Sequence, residues 1–373
     1  MLNKEIHEEF MSQVIALAKQ GTGFVSPNPM VGALIVKNDK GRMKIIGRGF
    51  HRKFGDQHAE VEALKNCIED PKGAILYVNL EPCCHSGKTG PCTKEIIKSG
   101  ISEVFIGMKD PNPLVSGKGI SELEKANIRV HCGILEKQCL KLNEIFVKWI
   151  SYKKPFVTIK TASTLDGKIS LEKNKKTILG NEKSWQKVYE LRNLYDAILI
   201  GIDTVLIDNP RLTCRLNKKN VRNPIKIILD SNLRVNLDAN IFKEEGQTII
   251  CCGQWSVVSD QWGKRKELEK MKNVKIWELN EEKEGFLDLN GLICKCSEEN
   301  ISSVLVEGGG TINSAFLNAG LVDKINIIYS PKISGKIDAP NLFANEILAD
   351  FKFKDISITK VDDDLWWEGY IKF

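Results

Sequence analysis

His58-Ala59-Glu60, followed downstream by Leu80-Glu81-Pro82-Cys83-Cys84-His85-Ser86-Gly87-Lys88-Thr89-Gly90-Pro91-Cys92, decides how the rest of the chain is read. One imidazole and two thiolates make three ligands, one short of a zinc tetrahedron. Catalytic zinc sites are built with that vacancy, and a water completes them. Zinc brings the pKa of such a water toward neutrality. Glu60 stands two residues after His58 at the start of a helical pattern, which sets its carboxylate beside the open position as a proton shuttle. H-x-E with a later P-C is the signature of zinc deaminases, in which the Glu is acid and base rather than ligand. The usual C-x-x-C spacing is missing, so Cys84 and Cys92 compete for the third ligand place. Adjacent thiolates project apart. Cys92 follows Pro91 and opens a helical pattern, whose N-terminus favours a thiolate. The expected metal set is therefore His58, Cys83 and Cys92, with Glu60 catalytic. Cys84 reads as a small filler, and Cys67, Cys132 and Cys139 as core residues. A closed structural site that recruits Cys84 or His85 is the competing reading.

Around this stretch, short apolar strands alternate with helical patterns. Strands are expected at Val31–Val36, Ile75–Leu80, Glu103–Met108 and Ile128–Cys132. Helices are expected at His58–Cys67, Thr93–Ser99 and Glu136–Ile150, after an amphipathic N-terminal helix. This alternation predicts a layered α/β sheet. The polar run Ser151-Tyr152-Lys153-Lys154-Pro155 closes it, which gives domains 1–150 and 151–373. The second domain restarts with strands Phe156–Thr161, Ala197–Ile200, Ile225–Leu229, Thr248–Cys252 and Val304–Val306. Helices are expected at Glu182–Asn193 and Thr311–Ala319, and the tail from Asp323 to Phe373 reads as strand-rich.

The 373 residues, 42% hydrophobic and 27% charged, suit two soluble globular domains. The net charge of +6 is spread along the chain without a basic tract, so a nucleic-acid partner is not expected, while phosphorylated small molecules are. No apolar run approaches the ~20 residues that span a bilayer, and the N-terminus lacks signal-peptide design. Eleven cysteines, an odd number, with Cys251 and Cys252 inside a strand pattern, argue for a reducing cytoplasm.

In the second half, Ser303–Val306 runs into Glu307-Gly308-Gly309-Gly310-Thr311 and then a helix. Glycines let backbone amides approach an anion at a helix N-terminus. The spacing is not G-x-G-x-x-G, so a Rossmann site is excluded, and a bare triple glycine is more often a tight turn. Ala162-Ser163-Thr164-Leu165-Asp166-Gly167-Lys168 and the run from Gly201 to Thr213 carry turn and cap chemistry.

Taken together, HAEVEAL, EPCCHSGKTGPCT, Pro27-Asn28-Pro29-Met30-Val31-Gly32 and Asp110-Pro111-Asn112-Pro113 closely resemble the bifunctional riboflavin-biosynthesis deaminase–reductase family, as do TLDGK, DTVLIDNP and VEGGG in the second half. The resemblance implies an N-terminal cytidine-deaminase-like αβα sandwich and a C-terminal dihydrofolate-reductase-like α/β domain. It implies zinc-dependent deamination of a phosphoribosylamino-pyrimidine, then NADPH reduction of its ribosyl group to ribityl. Asn28, His51, His85 and Lys88 would line the deaminase substrate. Ala162, Thr204, Asp208 and Ser231 would touch NADPH, as would the loop Gly309, Gly310, Thr311, Ile312, Asn313, Ser314 and Ala315. Arg192, Leu212, Arg215 and Glu307 would face the reductase substrate, the two arginines as partners of its phosphate. A homo-oligomer, dimer or tetramer, is also implied. One segment departs from the family: Lys176 and Ile178 stand where it commonly has Ser and Trp. That motivates an alternative, a monofunctional deaminase with an inactive reductase domain. A nucleic-acid base deaminase and a non-catalytic zinc scaffold are the other readings weighed.

Overall fold

Ile75-Leu76-Tyr77-Val78-Asn79-Leu80 is buried at every position and forms the central strand of the first of two units. The computed structural model describes residues 4–39, 41–84, 90–113, 115–218, 221–254, 260–282 and 285–372. Chain contacts divide it into Met1–Lys153 and Lys154–Phe373.

In chain order the first unit contains α1 (Lys4–Ala18), β1 (Gly32–Asp39), β2 (Arg42–Phe50), α2 (Ala59–Lys65), β3 (Ile75–Leu80) and α3 (Cys92–Lys98). It continues with β4 (Glu103–Met108), α4 (Lys118–Lys125), β5 (Arg129–Cys132), α5 (Glu136–Leu142) and α6 (Glu144–Tyr152). The sheet order is β2-β1-β3-β4-β5. β1 runs antiparallel to β2 and β3, and β3, β4 and β5 are parallel. Side chains alternate faces along a strand. Ala33, Ile35, Leu76 and Val78 therefore pack with Ala63, Ile96 and Leu123 of α2, α3 and α4. Leu34, Val36, Ile75 and Tyr77 pack on the other face with Met11, Val14 and Cys139. This is the expected αβα sandwich.

α2 sits unusually close to β2. A Cβ on Gly49 would lie 2.3 Å from the Ala59 carbonyl oxygen, and one on Gly47 would lie 2.5 Å from that of Ala63. Only glycine admits the helix at this distance, and this helix carries Glu60. The helix expected over Glu136–Ile150 is two helices, with Asn143 between α5 and α6. Asn143 turns its amide to the backbone of Met30, accepting from its N–H at 2.8 Å and donating to its carbonyl at 3.0 Å. Cys139 is buried as expected and Cys67 is half-buried, but Cys132 is exposed on the edge strand β5, correcting its reading as core.

The second unit contains β6 (Phe156–Ser163), α7 (Glu182–Leu194), β7 (Ala197–Gly201), α8 (Ile202–Asp208), β8 (Ile225–Leu229), α9 (Asn240–Lys243) and β9 (Thr248–Gly253). It ends with α10 (Asp260–Lys270), β10 (Val274–Leu279), α11 (Leu289–Glu298), β11 (Ser303–Val306), α12 (Gly310–Asn318), β12 (Lys324–Tyr329), β13 (Phe353–Val361) and β14 (Asp364–Ile371). Among the described residues its nine strands are ordered β10-β9-β8-β7-β11-β6-β12-β14-β13. The strands from β10 to β12 are parallel, and the last two pair antiparallel. In open α/β sheets ligands bind beyond the carboxyl ends of the strands. In this unit the segments after β7, β8 and β11 meet there around one cavity.

Candidate functional site

In the first unit three chain segments converge. His58 is the N-cap of α2, Cys92 is the first residue of α3, and Cys83 lies just beyond β3. Their ligand atoms all lie within 4.8 Å of one another. His58 Nδ1 is 3.1 Å from Cys92 Sγ and 3.5 Å from Cys83 Sγ. Zinc–sulfur and zinc–nitrogen bonds of about 2.3 and 2.0 Å at tetrahedral angles put neighbouring N and S atoms about 3.5 Å apart. The donor set and its spacing fit zinc. Cys84 is not part of the cluster, which decides between the two candidates for the third ligand.

The cluster opens on a cavity of about 330 Å³ lined by Asn28, His51, Glu60, Asp110 and Asn112 among others. Glu60 is buried, and that burial first, then the Cys83 sulfur, pushes its carboxyl up to about 6. His51 is held below the ordinary histidine range, chiefly by burial. Its Nε2 is 3.4 Å from the Asn28 amide, and its Nδ1 is 3.0 Å from the Gln57 carbonyl. His85 and Lys88 lie outside the described residues.

Sequence reasoning missed Glu81. Its buried carboxylate accepts from the N–H groups of Asp110, Gly117 and Ile120 at 3.2, 3.0 and 3.2 Å. It thereby ties the loop after β4 to the segment that bears Cys83. The signal available was an acid at the carboxyl end of a mainly apolar strand.

Two cavities of the second unit bear on the reaction. The larger, about 1280 Å³, is lined by Thr204, Asp208, Ser231, Gly309, Gly310, Thr311, Ile312 and Ala315 of the expected cofactor residues. A Cβ on Gly309 would meet nothing closer than Ile169 at 3.9 Å, so the backbone entering α12 is open to a ligand. A nucleotide pyrophosphate suits such a helix N-terminus, and the cavity fits NADPH. Asn313 and Ser314 turn inward instead. The Asn313 amide donates to the Leu342 carbonyl at 3.1 Å, and the Ser314 hydroxyl donates to that of Asn345 at 3.4 Å. Ala162 packs beside Val188, Ile328 and Trp366 and lines neither cavity.

The smaller cavity, about 570 Å³, brings together all four expected substrate residues, Arg192, Leu212, Arg215 and Glu307, with Lys176 and Ile178 at its wall. Thr204 and Asp208 line both cavities. Arg192 is engaged: its Nε and Nη2 donate to Glu307 at 2.9 and 2.8 Å, and its Nη1 to the Thr213 carbonyl at 3.2 Å. Lys160, missed from the sequence, is the third member, 3.7 Å from Glu307 and 4.9 Å over the Trp185 ring. Burial alone would raise the Glu307 carboxyl, but the Arg192 and Lys160 cations outweigh it and hold the group at about 2. Arg215 bonds the Thr213 hydroxyl at 3.3 Å and shows no ion pair among the described residues.

Comparison with known proteins gives consistent matches. Residues 4–108 match the family described as the cytidine and deoxycytidylate deaminase zinc-binding region, and residues 155–366 match the RibD C-terminal domain. The chain is 40% identical over 330 residues to the riboflavin biosynthesis protein RibD of Actinobacillus pleuropneumoniae, covering 88% of this chain and 84% of that one. It is 37% identical over 364 residues to RibD of Aquifex aeolicus, covering 97% and 98%. Among solved structures, Acinetobacter baumannii RibD matches with a TM-score of 0.85 at 33% identity over the whole of both chains. The Thermotoga maritima diaminohydroxyphosphoribosylaminopyrimidine deaminase/5-amino-6-(5-phosphoribosylamino)uracil reductase matches at 0.83 and 37%, covering 99% of each. No helix among the described residues is long and apolar enough to cross a membrane.

Proposed function

We propose a division of labour among the residues of this chain, from the premise that it belongs to the RibD family of bifunctional riboflavin-biosynthesis deaminase–reductases. The chain is a two-domain enzyme of riboflavin biosynthesis that deaminates a pyrimidine and reduces a ribosyl group, using zinc and NADPH. The substrates are those named for the Thermotoga relative: the diaminopyrimidinone bearing a phosphoribosylamino group, then its deaminated uracil product.

The observation that carries the reading is the His58–Cys83–Cys92 triangle opening on a cavity lined by buried Glu60. Bound there, zinc supplies a water whose pKa is brought toward neutrality. Hydrolysis replaces the ring amino group with oxygen and releases ammonia. Glu60 takes up the proton and returns it to the departing amine, a task suited to a carboxyl raised toward 6. Asn28 and His51, adjoining in the cavity wall, orient the pyrimidine. His85 and Lys88 are assigned to the same substrate.

In the reductase, NADPH supplies the hydride. The open glycine entry to α12 seats its pyrophosphate, and Thr204 and Asp208, shared by both cavities, mark where nicotinamide and ribose meet. Arg215 is the stronger candidate for the substrate phosphate, because Arg192 is already paired with Glu307. The fit of both cavities argues against an inactive reductase despite Lys176 and Ile178. The free cysteines support a reducing, cytoplasmic setting. The homo-oligomer is checked by light scattering.

The test is product analysis. Zinc-loaded protein with the diaminopyrimidinone and NADPH should give a deaminated, ribityl product by mass. Glu60→Gln should keep its zinc, lose deamination by at least about a hundredfold, and still reduce pre-deaminated substrate. Unchanged deamination in Glu60→Gln would overturn the assignment.

A further inference from the structure

The larger cavity of the second unit is lined by six acids: Glu172, Asp203, Asp208, Asp230, Glu281 and Glu282. Against them, the cations among its described lining residues are Lys175 and Arg234. NADPH exceeds NADH in negative charge by one phosphate on the adenosine ribose. An acidic cavity that takes NADPH must offset that charge locally.

The two cations lie at different places. Lys175 belongs to the segment after β6, next to the substrate cavity lined by Lys176, and is paired with Glu172. Hydride transfer requires the nicotinamide where the two cavities share Thr204 and Asp208. The adenosine is then assigned to the turn after β8, which lines the same cavity with Ser231 and carries its other cation, Arg234. This placement rests on reading the cavity as the dinucleotide site.

That turn is fixed in advance. Asp230 is fully buried and accepts from the N–H groups of Arg234 and Val235, both at 2.8 Å, one to each carboxylate oxygen. The Ser231 hydroxyl donates to the Gly285 carbonyl at 3.0 Å. Beyond this rigid backbone the Arg234 side chain is 47% exposed and pairs with Asp203, itself 76% exposed. An ion pair this exposed contributes little and is readily exchanged. A guanidinium matches a phosphate as a two-pronged donor.

We propose that Arg234 selects NADPH over NADH, its guanidinium exchanging Asp203 for the adenosine 2′-phosphate. Asp203 then acts as a competing anion that keeps the arginine extended when the cavity is empty.

The experiment is equilibrium titration of the full-length, zinc-loaded protein with NADPH, NADH, 2′,5′-ADP and 5′-AMP, followed by calorimetry. Arg234→Gln should weaken NADPH and 2′,5′-ADP about tenfold, with NADH and 5′-AMP unchanged. Asp203→Asn, which shifts affinity in the opposite direction and so cannot be mistaken for misfolding, should tighten NADPH about threefold at low salt and leave NADH alone. Equal weakening of NADPH and NADH by Arg234→Gln would place the arginine on the pyrophosphate and overturn the proposal. So would the absence of any change in either variant. Wild-type protein that binds neither dinucleotide would refute the cavity assignment itself, and the proposal with it.

Discussion

Replacing Glu307 by Gln removes the one anion of a buried triad. Lys160, Arg192 and Glu307 have side chains only 5%, 7% and 9% exposed, so water screens them little. The carboxyl falls from an ordinary 4.5 to about 2 in the folded chain. A shift of that size corresponds to ~3 kcal/mol of stability at neutral pH. For a carboxylate whose pKa is depressed by folding, the contribution is complete above about 4.5 and is lost as the pH falls toward 2. Glu307→Gln strands two cations, of which Lys160, already lowered mainly by burial, can shed its proton. The expected loss is therefore about 3 kcal/mol, within the range for breaking a buried ion pair. In a domain of ~200 residues that lowers the midpoint by about 6–12 °C. Arg192→Met leaves Lys160 facing Glu307 at 3.7 Å, one charge of each sign, and should cost less, about 1–2 kcal/mol. Tryptophan fluorescence reports on this unit, since Trp149 alone lies in the other. Urea titrations at pH 7 and pH 3 should show a gap between wild type and Glu307→Gln that narrows in acid. A gap independent of pH, or Arg192→Met falling below Glu307→Gln, would refute the electrostatic account.

Two further outcomes follow from the first unit. Gly49→Ala drives a methyl to within 2.3 Å of the Ala59 carbonyl and 2.4 Å of the Ala63 nitrogen, so α2 must move. The expected cost is about 2–3 kcal/mol, with weaker zinc retention because His58 caps that helix, measured by thermal unfolding and metal analysis. Stripping zinc with a chelator should abolish deamination while reduction of pre-deaminated substrate continues, because the metal cluster belongs to one unit and the NADPH cavity to the other. Loss of reduction of pre-deaminated substrate in parallel with deamination would contradict this.

The sequence disclosed most where a residue's chemistry is unusual in isolation. Ile75–Leu80, Glu103–Met108 and Ile225–Leu229 form strands as expected because each is a short apolar run between turn signals. β2 was missed because Arg-Met-Lys-Ile-Ile-Gly-Arg-Gly-Phe mixes charge and glycine, as suits an edge strand with one wet face. α8 was missed because Ile202-Asp203-Thr204-Val205 favours extended or capping geometry, and packing of Val205 into the core overrides that preference. The zinc ligands were legible for a similar reason: histidine and thiolates at that spacing have few other uses. Charged residues are different, since their meaning lies in a partner that the sequence does not name. Glu81 looked like the entry to a motif, yet its partners are backbone amides of a later loop. Arg192 looked like a phosphate ligand, yet Glu307 already occupies both prongs of its guanidinium. The same pairing has a functional consequence. A phosphate entering this cavity would have to displace a buried, twice-bonded carboxylate from Arg192, whereas Arg215 bonds a hydroxyl and lies over the Tyr189 ring. Desolvation has already been borne by the triad, so the proposed phosphate contact is cheaper for Arg215, which has no ion pair among the described residues.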